Sequence, residues 1–127
     1  MKKIFTFLAL AVATWTLNAQ FVDFNMEIWK GIFAAADIDN DGDLDVIVSG
    51  DAPNNVENGA ILINDGAGNF TAQAGNRVIT AGRGGNIRFG DIDGDGDLDA
   101  IFAGWGLNNP VKAGIALNDG QGNFTLA

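Results

Sequence analysis

Histidine, cysteine and tyrosine are all absent from the sequence. Without imidazole or thiolate there is no ligand set of the kind zinc prefers. The commonest general base and the thiol nucleophile are missing too. No serine lies in a Gly-x-Ser-x-Gly elbow, and no glycine-rich loop carries the lysine of a phosphate cradle. Disulfides cannot staple the fold. Positive charge is scarce as well, with 7 Lys and Arg against 16 Asp and Glu and a net charge of −9. That balance argues against nucleic acid, whose phosphates need a basic face, and against docking on anionic lipid.

What is present begins with an export signal. Lys2 and Lys3 form a basic head, residues 4–12 an apolar run, and Leu17-Asn18-Ala19 a cleavage site before Gln20. The run is too short for a comfortable membrane span, and no cysteine follows to carry a lipid anchor. Residues 1–19 are read as a signal peptide and the product as secreted or displayed at the cell surface, with no membrane span after cleavage. An N-terminal core helix is the plainer alternative. Residues 20–127 keep all sixteen acids but only five bases, so the mature chain is more acidic than the whole.

Ten of the sixteen acids stand in two copies of one nine-residue pattern. The first places Asp37, Asp39, Asp41, Asp43 and Asp45 around Gly42, and the second places Asp91, Asp93, Asp95, Asp97 and Asp99 around Gly96. Carboxylates so close repel one another at neutral pH and need a counter-charge. Oxygens at loop positions 1, 3, 5 and 9, with glycine at 6, can wrap a hard cation. Calcium fits best, since it accepts six to eight oxygens in flexible geometry, whereas magnesium prefers a tight octahedron with retained water. Two calcium sites are expected, and they would replace disulfides as staples of an exported protein. Calcium would also occupy the oxygens that paired carboxylates need for glycosidase-type chemistry, so no enzymatic activity is expected. An EF-hand loop shares positions 1, 3, 5 and 6 but requires a carboxylate at position 12. Val48 and Phe102 stand there. A calcium β-roll of nonapeptide repeats and a solvated acidic loop without metal are further alternatives.

The acidic pattern belongs to a longer repeat. Asp37 recurs as Asp91, Asn64 as Asn118 and Phe70 as Phe124, at a constant spacing of 54. Residues 31–73 align with 85–127 without a gap. Each unit reads as β: residues 32–36, then the acidic loop, then Val46-Ile47-Val48, a β-branched run expected to be buried on both faces. A Gly/Asn-rich connection over residues 50–59 leads to an apolar run at 60–63, a turn at Asn64-Asp65-Gly66, and a restart at Phe70. The second unit repeats this. Phe33, Phe70, Phe89, Phe102, Phe124 and Trp105 are expected to pack inside. Helical periodicity is absent after the signal, and 18 glycines disfavour long helices.

These residues resemble the FG-GAP repeats of integrin-α-type β-propellers, in the variant known as the VCBS repeat. The shared elements are Ala36-Asp37 or Gly90-Asp91, the Asp-x-Asp-x-Asp-Gly-x-x-Asp loop, an apolar strand, and the later Asn-Asp-Gly-x-Gly-x-Phe turn. The resemblance implies an all-β fold of two four-stranded antiparallel blades, part of a larger propeller of about seven blades. It implies calcium on the side chains of Asp37, Asp39, Asp41 and Asp45 and the Asp43 carbonyl, and on Asp91, Asp93, Asp95 and Asp99 and the Asp97 carbonyl. The Asp43 and Asp97 side chains are then expected to face solvent. Residues 20–30 form a lead-in, 31–84 the first repeat and 85–127 a truncated second. Two blades leave open edges. The simplest account is an N-terminal piece of a longer protein; self-association of several copies into one ring is a second, and a marginal two-blade domain a third. The expected function is binding of an extracellular protein or glycan, as in adhesion. The alternative is an accessory propeller of a secreted polysaccharide-active enzyme.

Overall fold

A computed structural model describes residues 27–53, 56–73, 79, 81–106 and 111–127; the signal segment 1–19 lies outside them. The first four strands are β1 (Trp29–Ala36), β2 (Asp45–Ala52), β3 (Val56–Asn64) and β4 (Phe70–Ala72). The next four are β5 (Arg83–Gly90), β6 (Asp99–Trp105), β7 (Val111–Asn118) and β8 (Phe124–Leu126). They form two four-stranded antiparallel meanders, ordered β1-β2-β3-β4 and β5-β6-β7-β8. This is the strand content of two propeller-type blades, as the repeat predicts. Among the described residues no helix is long and apolar enough to cross a membrane.

The repeat in sequence is a repeat in register. Ala36 pairs with Asp45 and Gly90 with Asp99 across the acidic loops. Asn64 pairs with Phe70 and Asn118 with Phe124 at the later turns. Both first hairpins are irregular at one place, between Trp29 and Ile32 and between Arg83 and Asn86. There Lys30 (φ 51°) and Gly84 (φ 61°) take left-handed backbone.

The strands run further than the glycine-rich composition predicts. Gly50 pairs with Asn58 and Asp51 with Glu57, inside the stretch expected to be a connection. Gly50 is needed for close approach, because a Cβ there would strike the Gly31 Cα and the Ile28 side chain. A sequence signal for a turn is here a signal for tight strand packing.

The core lies between the sheets. The first sheet contributes Ala36, Ile38, Ile47 and Ile61, the second Ile87, Ala100, Phe102, Ala116 and Phe124, with Ile79 and Ala81 of the connecting segment between them. Ala34, Ile47 and Ile61 are cross-strand neighbours on one face, so the front of the first sheet packs on the back of the second. Full burial of Ile38, Ile47 and Ile61 contributes about 1.5–3 kcal/mol each. Buried polar bonds fix the junction: the Asn118 side-chain amide donates to the Ile38 carbonyl at 2.8 Å, and the Ala81 N–H donates to Ser49 Oγ at 2.9 Å.

Among the described residues this junction covers one face of each sheet, although Leu62, beside Val46 on the opposite face of the first sheet, is also fully buried; three expectations are corrected. Ile47 is buried, but Val46 and Val48 on the opposite face are half-exposed rather than enclosed. Phe33 and Trp105 are exposed, not packed inside. Phe102 and Phe124 are buried, and Phe89 packs against the same core.

Candidate metal centres

Each acidic loop joins the first two strands of its sheet. Gly42 (φ 96°) and Gly96 (φ 100°) turn the loops at position 6, in backbone that L side chains rarely adopt. A Cβ at either would meet nothing within 4 Å, so conformation and not crowding requires glycine there. Asn40 (φ 62°) and Gly94 (φ 86°) do the same at position 4.

The strand-end aspartates fasten the loops. Asp45 is fully buried; its Oδ2 accepts from the Ile38 N–H and its Oδ1 from the Asn64 N–H, both at 2.8 Å. Asp99, also fully buried, repeats this with the N–H groups of Ile92 (2.8 Å) and Asn118 (2.9 Å). The loops then fold back on their own carboxylates. Asp37 Oδ2 accepts from the Gly42 N–H, Asp41 Oδ1 from the Asp43 N–H, and Asp91 Oδ2 from the Gly96 N–H.

This folding brings Asp37, Asp39 and Asp45 together, and likewise Asp91, Asp93 and Asp99, with one carboxylate oxygen of each within 4.8 Å of the others in its group. Asp41 and Asp95 are exposed and stand outside these two groups; Asp95 Oδ1 accepts from the Asp97 N–H at 2.9 Å. The Asp43 and Asp97 carboxylates are half-buried and lie against Gly66 and Gly120 of the later turns, instead of facing solvent freely. Asp97 Oδ1 accepts from the Asn40 side-chain amide at 2.8 Å, which ties one loop to the other. Neither this tie nor the buried Asn118 anchor is foreseen in the sequence reading. The identity of Asn64 and Asn118 at the repeat spacing was the available signal for the second.

The electrostatics suit a cation. Asp37 Oδ1 and Asp39 Oδ1 are buried atoms with no hydrogen-bond partner, a costly arrangement for carboxylate oxygens unless a positive charge meets them. Desolvation, then the charges of Asp45, Asp41 and Asp37, raises the Asp39 carboxyl above its ordinary value of 3.8, although the Asp41 N–H opposes this. Desolvation likewise raises Asp93, with the Asp95, Asp99 and Asp91 charges adding to it and the Asp95 N–H opposing. An all-oxygen cluster of this kind can hold a hard metal ion, and the residues present fit one.

Residues 37–102, from the first acidic loop into β6, match the FG-GAP-like repeat family. The chain belongs to that family. The matched span holds both acidic loops and the four strands between them, β2 to β5. No curated protein and no solved structure matches the chain.

Proposed function

We propose that this FG-GAP-like chain is an exported calcium-binding module, and that calcium rigidifies its blades so that they present a binding surface to an extracellular protein or glycan. The observation that carries the calcium reading is the convergence of Asp37, Asp39 and Asp45 with two buried oxygens lacking any donor. Bound calcium supplies positive charge against these carboxylates and pins the loop. Asp37, Asp39 and Asp45 would hold it in one loop, and Asp91, Asp93 and Asp99 in the other. Asp45 and Asp99 connect each centre to the rest of its sheet, since each also bonds the start of its loop and the N–H of Asn64 or Asn118. Affinity on the order of 10⁻⁴ to 10⁻³ M suits an extracellular module. The role is binding rather than catalysis, and export rests on the signal-like residues 1–19.

The test is a variant whose effect changes sign with calcium. Asp39→Asn combined with Asp93→Asn removes one charge from each cluster at constant shape. In chelator it should leave the melting temperature unchanged or raise it, because repulsion is relieved. In saturating calcium it should lower the melting temperature, since ligand stabilisation reaches about 2.7 kcal/mol at a hundredfold excess over Kd. Equal losses in both buffers would sink the metal role.

A further inference from the structure

The front of the second sheet repeats the front of the first at the positions that matter for packing. Ile38, Ile47 and Ile61, almost wholly buried against the second sheet, recur as Ile92, Ile101 and Ile115, which are 39%, 50% and 37% exposed. Cross-strand neighbours line up identically, Ile47 beside Ile61 and Ile101 beside Ile115. The back of the first sheet repeats the back of the second. Ile87, Leu98, Phe102 and Phe124 recur as Phe33, Leu44, Val48 and Phe70, of which Phe33 is 80% and Leu44 62% exposed and Val48 and Phe70 half-buried, while Leu62 on the same face is buried. Each outer face is thus one half of an interface that the molecule already makes once.

We infer that a second copy of this chain docks head to tail, the back of its first sheet seating on Ile92, Ile101 and Ile115 as the second sheet seats on Ile38, Ile47 and Ile61. The polar anchor is available too. Asn118 donates from its side-chain amide to its own repeat's Leu98 carbonyl at 3.2 Å and across the junction to Ile38. Asn64 makes the first of these bonds, to Leu44 at 3.2 Å. For Asn64 of the docked copy, the Ile92 carbonyl of the receiving copy stands where the Ile38 carbonyl stands for Asn118. One departure fits rather than blocks the contact. Arg88 replaces Ala34 on the exposed front, and β1 and β5 are facing strands in the existing junction, so Arg88 would lie toward Phe33 of the incoming copy, a cation–aromatic pairing. A head-to-tail contact uses two different surfaces, so it closes into a ring when its rotation allows.

The test is the mass of the purified chain in solution, by light scattering, for the wild type and two variants. Ile101→Asp spoils the front and Phe33→Asp the back; both sites are exposed, and Ile101→Ser and Phe33→Ser serve if the aspartates unfold the chain. The wild type should assemble beyond a dimer, each variant alone should be monomeric, and an equal mixture should form a dimer that grows no further, through the intact back of one and the intact front of the other. A monomeric wild type, a mixture that stays monomeric, or a dimer of either variant alone would overturn the inference. Calcium binding is read separately on the same samples, so loss of assembly and loss of the metal reading are distinguishable.

Discussion

Asp65 and Asp119 are the carboxylates whose titration should be visible in stability. Each organises a turn outside the metal clusters. Asp65 accepts from the Asn69 side chain at 2.8 Å and from the N–H groups of Ala67 and Asn69; Asp119 does the same with Asn123 and Gln121. Those bonds, the Asn side chain first, hold both carboxyls below the ordinary value of 3.8. A folded pKa below the unfolded one contributes stability that is present above about pH 3.8 and is lost as pH falls through the folded value. The wild type in chelator should therefore lose melting temperature more steeply in this acid range than Asp65→Asn combined with Asp119→Asn. Parallel acid arms would contradict it. Comparing the two chains also cancels Asp39 and Asp93, whose raised values act in the opposite sense. At this scale the sequence identified every cluster aspartate by spacing alone. It could not show which carboxylates converge, because Asp37 and Asp41 differ in fate only through the loop's fold-back bonds. Nor could it show that Asp43 and Asp97 are held against Gly66 and Gly120, since that needs the third strand brought beside the loop.

At the scale of the strand, the bulge in the first hairpin carries unrelieved strain. Lys30 sits at φ 51° where the second repeat has Gly84 at φ 61°. A left-handed non-glycine residue costs roughly 1–2 kcal/mol, and glycine there would return part of this as unfolded-state entropy. Lys30→Gly should stabilise the chain by about 0.5–1 kcal/mol in a denaturant titration, and Gly84→Lys should cost a similar amount. A destabilised Lys30→Gly would mean that the lysine side chain contributes more than its backbone loses. The same hairpins show what local pattern could and could not give. Short apolar runs and turn residues placed all eight strands, although β1 starts two residues before the first repeat. They missed the length of β2 and β3, because Gly50-Asp51 and Glu57-Asn58-Gly59 read as loop by composition, whereas they pair in register and Gly50 packs closely against Gly31 of β1.

For the whole molecule, burial depends on what covers each sheet, and no single repeat contains that information. Ile47 and Ile101 are the same residue at the same repeat position, yet one is about 1% exposed and the other 50%. Phe33 and Phe70 look like core residues in sequence because their counterparts Ile87 and Phe124 are core residues; they lie on the outer face of the first sheet and the next sheet lies on the other. The two carboxylate clusters, by contrast, belong each to one hairpin and are coupled through Asn40 to Asp97, so both should be present in one copy of the chain. The most direct test of the account is a calorimetric titration of calcium into the chelator-stripped chain. The account predicts two ions bound per chain in the millimolar range or tighter, a melting temperature that climbs with calcium concentration, and loss of one ion when Asp39→Asn alone is introduced. A titration that shows no calcium binding at millimolar concentration, with a melting temperature indifferent to calcium, would contradict it.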